Sequence, residues 1–210
     1  MIFQLNNNDI QFPNPALAEE DGLLAIGGDL SPERLIAAYK NGIFPWFSDD
    51  EPIYWYAPHE RCVIFSNKIH VSKSMLKSMR AQTYTVTTNT VFEDVIEACK
   101  NTPRKDQDGT WITDEMEVAY VKLHELGIAK SVEVWHNEQL VGGIYGVEIN
   151  NVFCGESMFS HKPNASKTAM IWLCKECNYA LIDCQIRNDH LISLGAEMIS
   201  QKSFMEILER

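Results

Sequence analysis

Three runs of alternating apolar and polar residues, separated by tight turns, constrain this chain more than any other feature. Ser131-Val132-Glu133-Val134-Trp135 is followed by a turn at His136-Asn137-Glu138 and then by Leu140-Val141-Gly142-Gly143-Ile144-Tyr145-Gly146-Val147. Asn150-Asn151 makes a second turn before Val152-Phe153-Cys154-Gly155-Glu156. A period of two is that of a strand, and turns this short join neighbours that run in opposite directions. An antiparallel meander is predicted here. Around it, helix signals cover about 71–80, 90–100 and 114–126, the last with Met116, Ala119, Leu123 and Leu126 near helical spacing. A helix over about 165–178, a strand at 180–185, a short helix at 189–194, a final strand and a terminal helix complete the pattern. The class is α+β with a central mixed sheet.

The first sixty residues read as a small, turn-rich, aromatic module. Phe12-Pro13-Asn14-Pro15 is extended or turning, and Ser31-Pro32 opens a helix with Ser31 as its cap, which stops at Gly42. Six aromatics lie between Phe44 and Tyr56. A cluster of that density is either core or a stacking platform. The expected organisation is a small N-terminal domain over 1–60 and a larger domain over 61–210.

No apolar run approaches the 18 or so residues of a membrane span, and the N-terminus lacks the basic segment and apolar core of a signal peptide. These features predict a cytoplasmic chain whose six cysteines are reduced thiols. A formal net charge of −11 argues against a broad cationic surface for nucleic acid. The charge is uneven, however. Residues 1–60 carry ten acidic side chains against Arg34 and Lys40, whereas residues 61–92 carry Arg61, Lys68, Lys73, Lys77 and Arg80 with no acid. Lys73, Lys77 and Arg80 recur at spacings that place them on one side of a helix. Charge alone leaves two readings open, a solvated face and a strip for phosphates.

Several motifs carry no chemistry. Cys174-Lys175-Glu176-Cys177 falls late in an apolar helix, where nothing lowers a thiol pKa, and a structural zinc would need four ligands. Gly142 to Gly146 lies inside a strand pattern and opens no helix, so it is not a phosphate loop. Ser157 lacks the second glycine of a nucleophile elbow, and Asn164-Ala165-Ser166 reads as a helix start. Two carboxylates stand out instead. Leu181-Ile182-Asp183-Cys184-Gln185 ends an apolar strand, with Asp183 and Gln185 expected on one face and Cys184 opposite. Glu156 is expected to end the strand from Val152. Each serves either as a structural hydrogen-bond partner or as part of a site.

Read in order, Gly27-Gly28-Asp29-Leu30-Ser31-Pro32, Gly42-Ile43-Phe44-Pro45-Trp46-Phe47-Ser48, Gly109-Thr110-Trp111-Ile112-Thr113, Phe153 to Ser160, Asn164 to Ala169 and Leu181 to Gln185 resemble the bacterial leucyl/phenylalanyl-tRNA–protein transferases. The resemblance runs over nearly the whole chain. It implies a small N-terminal domain joined to a larger one similar to the N-acetyltransferase (GNAT) superfamily. It also implies transfer of Leu or Phe, and less so Met, from aminoacyl-tRNA to the α-amino group of an N-terminal Arg or Lys, which marks the acceptor for N-end rule degradation. No cofactor, metal or membrane is implied, and a monomer is expected.

Carried over residue by residue, the resemblance places the aminoacyl-adenosine end against Phe44, Trp46 and Trp111. Catalysis falls to Asp183 and Gln185, with Glu156 on the acceptor side as partner for its positive charge. The Leu or Phe side chain maps to Ile144, Met170, Leu173, Cys177 and Ile182; positions 173 and 177 are often Phe in the family. Stacking suits an unpaired RNA 3′ end, and Lys68, Lys73, Lys77 and Arg80 would track the acceptor-stem phosphates. Two rival readings are an acyl-CoA-dependent N-acetyltransferase, which would normally show a glycine-rich pyrophosphate turn, and a non-catalytic RNA- or peptide-binding module.

Overall fold

A computed structural model describes residues 2–103 and 111–210; Gly109 and Thr110 of the third motif lie outside them. In chain order the elements are β1 (Phe3–Leu5), β2 (Leu23–Gly27), α1 (Pro32–Lys40), β3 (Phe44–Pro45), β4 (Tyr54–Tyr56), β5 (Glu60–Phe65), α2 (Lys73–Arg80), β6 (Thr85–Thr88) and α3 (Phe92–Lys100). There follow α4 (Asp114–Glu125), β7 (Ala129–His136), β8 (Gln139–Ile149), β9 (Val152–Ser160), α5 (Ala165–Glu176), β10 (Leu181–Gln185), α6 (Asp189–Ser193), β11 (Glu197–Ser200) and α7 (Gln201–Leu208).

The expected meander is present as β7, β8 and β9, paired antiparallel. Asn137 and Glu138, both at positive φ, close the first hairpin as the sole residues between its strands. Both angles positive is the turn whose twist matches the strands it joins. The meander is the middle of a seven-stranded sheet of order β11-β5-β10-β9-β8-β7-β6, in which β10 runs parallel to β9 and the other pairs are antiparallel. A parallel pair needs a crossover, and α5 supplies it. The front residues form a separate four-stranded sheet, β1-β2-β4-β3.

Two apolar layers sandwich the large sheet. On one face, Val95, Ile96, Met116, Tyr120 and Leu123 of α3 and α4 pack with Leu35, Tyr39 and Trp55 from the front residues. On the other, Ala169, Met170 and Leu173 of α5 pack on Val132, Ile144, Phe153 and Ile182. Ser31 precedes α1 but makes no side-chain cap; its N–H instead donates to Asp29 Oδ1 at 2.9 Å, so an Asx turn replaces the expected hydroxyl cap. Gly42, at φ +68°, ends α1 as expected.

Two strands depart from regular geometry at neighbouring points. Pairing of β9 with β10 stops at Cys154 and Asp183. One step further, β9 carries Glu156 as an extra residue: Tyr145 pairs with Ser157 and Gly146 with Gly155. A Cβ on Gly146 would lie 2.2 Å from the Cys154 carbonyl oxygen, so glycine is required opposite this bulge. Glu156 is therefore mid-strand rather than at a strand end, because β9 resumes pairing and runs to Ser160. In β10 the register shifts between Asp183 and Gln185. Gln185 has φ +58°, and the Ile186 N–H donates to the Cys184 carbonyl at 2.7 Å, a tight three-residue turn. Period two consequently fails at this point: Asp183 pairs with Val63 and Gln185 with Cys62, so strand alternation does not place the two side chains on one face.

Arg61 of β5 does not belong to the basic surface that its place in the sequence suggested. It is buried, with Nε and Nη2 each 2.9 Å from an oxygen of the Asp183 carboxylate and Nη1 donating to the Gly42 carbonyl at 2.8 Å. Phe44 and Phe204 cover its two sides at 4.9 and 4.7 Å. Burial lowers its pKa, but the charge and hydrogen bonds of Asp183 outweigh that and hold it above the ordinary arginine value. Removing one partner of such a pair strands a buried charge. We expect Arg61→Met to cost about 3–5 kcal/mol in chemical denaturation, and the double variant with Asp183→Leu to recover much of that loss. A single-variant loss below about 1 kcal/mol, the range of an exposed pair, would show that the pair is not desolvated.

Candidate active site

Where β9 and β10 part, two cavities open and share a wall. The first, of about 230 Å³, is lined by Ile144, Met158, Met170, Ile182 and Leu191, with Asn188 and His190 at its polar side. The second, of about 250 Å³, is lined by Phe44, Pro45, Trp46, Trp111, Ile186 and Arg187. Glu156, Cys184, Gln185 and Asn188 border both. The front residues thus supply one side of a site whose other side is the large sheet. Tyr56 backs the aromatic wall, 6.2 Å from Phe44 and 5.8 Å from Trp46 between ring centres. Trp46 is 37% exposed despite its apolar ring, an open surface for stacking.

At the shared wall the polar groups form one chain. Asp183, fully buried, accepts the backbone N–H of Gln185 at 2.9 Å and is held from behind by Arg61. Gln185 Nε2 donates to Glu156 Oε1 at 2.7 Å, and the Tyr120 hydroxyl donates to Glu156 Oε2 at 3.1 Å. The Tyr39 hydroxyl is hydrogen-bonded to that of Tyr120. Burial raises Glu156 from an ordinary 4.5 to about 7, against the opposing pull of hydrogen bonds from Tyr39, Tyr120 and Gln185. Burial, followed by the Glu156 charge, also pushes both tyrosines well above their usual range.

The structure brings together Phe44, Trp46, Trp111, Ile144, Glu156, Met170, Ile182, Asp183 and Gln185. Leu173 and Cys177 line neither cavity. The crossover helix runs back from β9 towards the start of β10, and at 1.5 Å per residue it carries them about 4.5 and 10.5 Å beyond Met170. Leu173 is core, and Cys177 caps the end of α5. Positions 173 and 177 therefore fall outside the cavity lining. Met158 and Leu191 complete the apolar wall instead. Lys73, Lys77 and Arg80 are exposed on α2, whereas Lys68 is paired with Glu197 at 2.9 Å and lies over Phe65.

Burial raises the thiol pKa of Cys154, Cys174, Cys177 and Cys184, so none of the four is activated as a nucleophile. Among the described residues, no group of three or more His, Cys, Asp or Glu is arranged to hold a metal ion, and no helix is long and apolar enough to cross a membrane. Tyr39 and Tyr120 escaped the sequence reading as site residues. Tyr120 sits four residues after Met116 and three before Leu123. That spacing directs a phenol inward and was the available signal.

A family model described as leucyl/phenylalanyl-tRNA protein transferase matches residues 63–209, and one described as the N-terminal domain of the same transferase matches residues 28–59. The chain belongs to this family. A relative from Flavobacterium johnsoniae, named leucyl/phenylalanyl-tRNA–protein transferase, is 54% identical over 96% of each chain. Relatives of the same name from Hydrogenovibrio crunogenus and Pseudomonas aeruginosa are 51% and 49% identical, covering 99% and 100% of this chain and 83% and 95% of their own. Among solved structures, a conserved protein of unknown function from Staphylococcus epidermidis aligns with TM-score 0.47 at 10% identity, over 85% of this chain and 68% of its own. A GCN5-related N-acetyltransferase from Kribbella flavida aligns with TM-score 0.39 at 8% identity, over 77% and 58%. The α+β class stands on the mixed sheet itself.

The raised Glu156 has a consequence for stability. In the unfolded chain it ionises near its ordinary value, so between pH 4.5 and about 7 the folded state keeps a proton that the unfolded state has lost. The unfolded state then binds fewer protons, and stability falls as pH rises through that window. Glu156→Gln has no such loss. Its stability minus that of the unaltered chain should grow across the window, by up to about 3 kcal/mol, and level off above it. A difference that stays flat from pH 4 to 8 would contradict the raised value.

Proposed function

We propose that this chain moves Leu or Phe, and less readily Met, from aminoacyl-tRNA to the α-amino group of an N-terminal Arg or Lys, marking the acceptor for N-end rule degradation in the cytoplasm. One observation carries this reading: an apolar cavity and an aromatic cavity meet at a wall made of Gln185 and Glu156, joined at 2.7 Å. The ester bond of an aminoacyl-adenosine has an apolar group on one side and a base and ribose on the other. On this reading Ile144, Met170 and Ile182, with Met158 and Leu191, receive the side chain. Phe44 and Trp46, brought in by a small unit over residues 1–60, receive the adenosine together with Trp111 of the larger unit. The ester carbonyl then lies at the shared wall.

The reaction is aminolysis. The amine nitrogen bonds to the ester carbon, the bond to the ribose oxygen breaks, and the amine proton ends on the released ribose hydroxyl. An α-amine has a pKa of about 7.7–8.0, so part of it is already neutral at pH 7 and positioning contributes more than basicity. Asp183 is tied by Arg61, and we assign it the role of fixing the Gln185 turn. The Gln185 amide nitrogen is engaged by Glu156, which leaves its oxygen to accept a hydrogen bond from the attacking amine. Glu156 is 9% exposed. At that depth its charge serves the α-ammonium before the far end of a long side chain.

Labelled Phe should pass from charged tRNA to an Arg-starting peptide, and acetyl-CoA should not replace the tRNA. Acetylation of the peptide without transfer would favour the N-acetyltransferase reading instead. In single-turnover transfer Gln185→Ala and Asp183→Asn should each lose about a hundredfold, the scale of a misplaced reacting group; near-normal rates would remove both from the mechanism. Replacing Lys73, Lys77 and Arg80 together by Gln should weaken tRNA binding whatever its sequence. It should also flatten the dependence of log affinity on log salt by about 2 to 3, one counterion per lost phosphate contact.

A further inference from the structure

The aromatic cavity has a charged wall that ester chemistry does not use. Arg187 lines it beside Trp46 and Trp111, is exposed, and is paired with no carboxylate among the described residues. Its position follows from the turn at Gln185. Positive φ there reverses the chain, and the Ile186 N–H closes on the Cys184 carbonyl. Gln185 is thereby held inward on Glu156 while Arg187, two residues on, lies at the cavity mouth. Asn188 fixes the far side by accepting the Leu191 N–H at 2.9 Å as the cap of α6. Arg187 thus projects from a short segment anchored at both ends.

A free guanidinium next to two tryptophans suits a ligand that joins an anion to a flat ring, and its fork matches two phosphate oxygens. It repels the cationic acceptor, so it belongs to the donor's side of the site. We propose that Arg187 holds the phosphate linking the last nucleotide of the donor RNA to its neighbour, while Trp46 and Trp111 hold the terminal base. This inference rests on the donor being an aminoacylated RNA 3′ end. It differs from the α2 cations in reach: they meet the stem, whereas Arg187 acts on the last phosphate alone, and its effect survives in a donor one nucleotide long.

Two minimal donors test it: the phenylalanyl ester of adenosine, and the same ester carrying a 5′-phosphate. With the unaltered chain, the phosphate should raise kcat/KM for transfer to an Arg-starting peptide about tenfold, as a charged hydrogen-bonded pair does, with a gain that shrinks in high salt. Arg187→Gln should bring the ratio of the two esters close to one, and Arg187→Lys should keep part of it as a point charge. An undiminished ratio in Arg187→Gln, or an equal loss on both esters with the ratio intact, overturns the proposal. Failure of both esters and of charged tRNA as donors to the unaltered chain overturns the parent reading itself.

Discussion

The buried pair of Arg61 and Asp183 is the interaction on which the rest of the arrangement depends. One guanidinium joins β5 to β10 through the carboxylate, reaches the end of α1 through the Gly42 carbonyl, and lies between Phe44 of the front sheet and Phe204 of α7. Taking both charges from water is costly, and their attraction offsets that cost only with good geometry and further hydrogen bonds. Both conditions hold: Asp183 also accepts the Gln185 N–H, and Arg61 has a third acceptor. The pair therefore acts less as a source of stability than as a fixed point for an uncommon backbone. Without an acceptor in that position, a left-handed glutamine at a strand end would relax towards ordinary geometry.

That fixed point also sorts the charge of the molecule. A chain with net charge −11 can meet an anionic substrate if its positive side chains are placed locally. Arg61 is withdrawn to the interior and Lys68 is occupied by Glu197, which leaves α2 and Arg187 as the local cations discussed above. Glu156, by contrast, is kept inside beside two tyrosines, where its charge is available to a ligand that enters the site and not to bulk ions.

The meander, the crossover helix and the aromatic module were legible because period, turn length and residue type are local properties. Glu156, Asp183 and Gln185 stood out as polar groups in apolar strands, whereas Phe44, Trp46, Trp111, Ile144, Met170 and Ile182 were placed at the site by the family resemblance. What the sequence hid lay in contacts between distant segments. Arg61 and Asp183 are 122 residues apart, and nothing local distinguishes a buried arginine from a surface one. Strand alternation predicted Asp183 and Gln185 on one face, but the bulge opposite Cys62 breaks it. Leu173 lies on the same helix as Met170 and Cys177 caps its end, yet which part of that helix faces the cavity depends on where β9 and β10 separate. Tyr39 and Tyr120 carry no local mark of a site; only the fold sets Tyr120 against Glu156 on the side away from Gln185.

On the function proposed above, the two cavities receive the two halves of one aminoacyl-adenosine across the wall of Gln185 and Glu156. A crystal structure with the amide analogue of phenylalanyl-adenosine, which cannot be cleaved by transfer, tests this directly. It should show the phenyl ring among Ile144, Met170 and Ile182, the base against Trp46 or Trp111, and the carbonyl within hydrogen-bonding reach of the shared wall. A phenyl ring in the aromatic cavity, or both halves of the analogue away from Gln185, would contradict it.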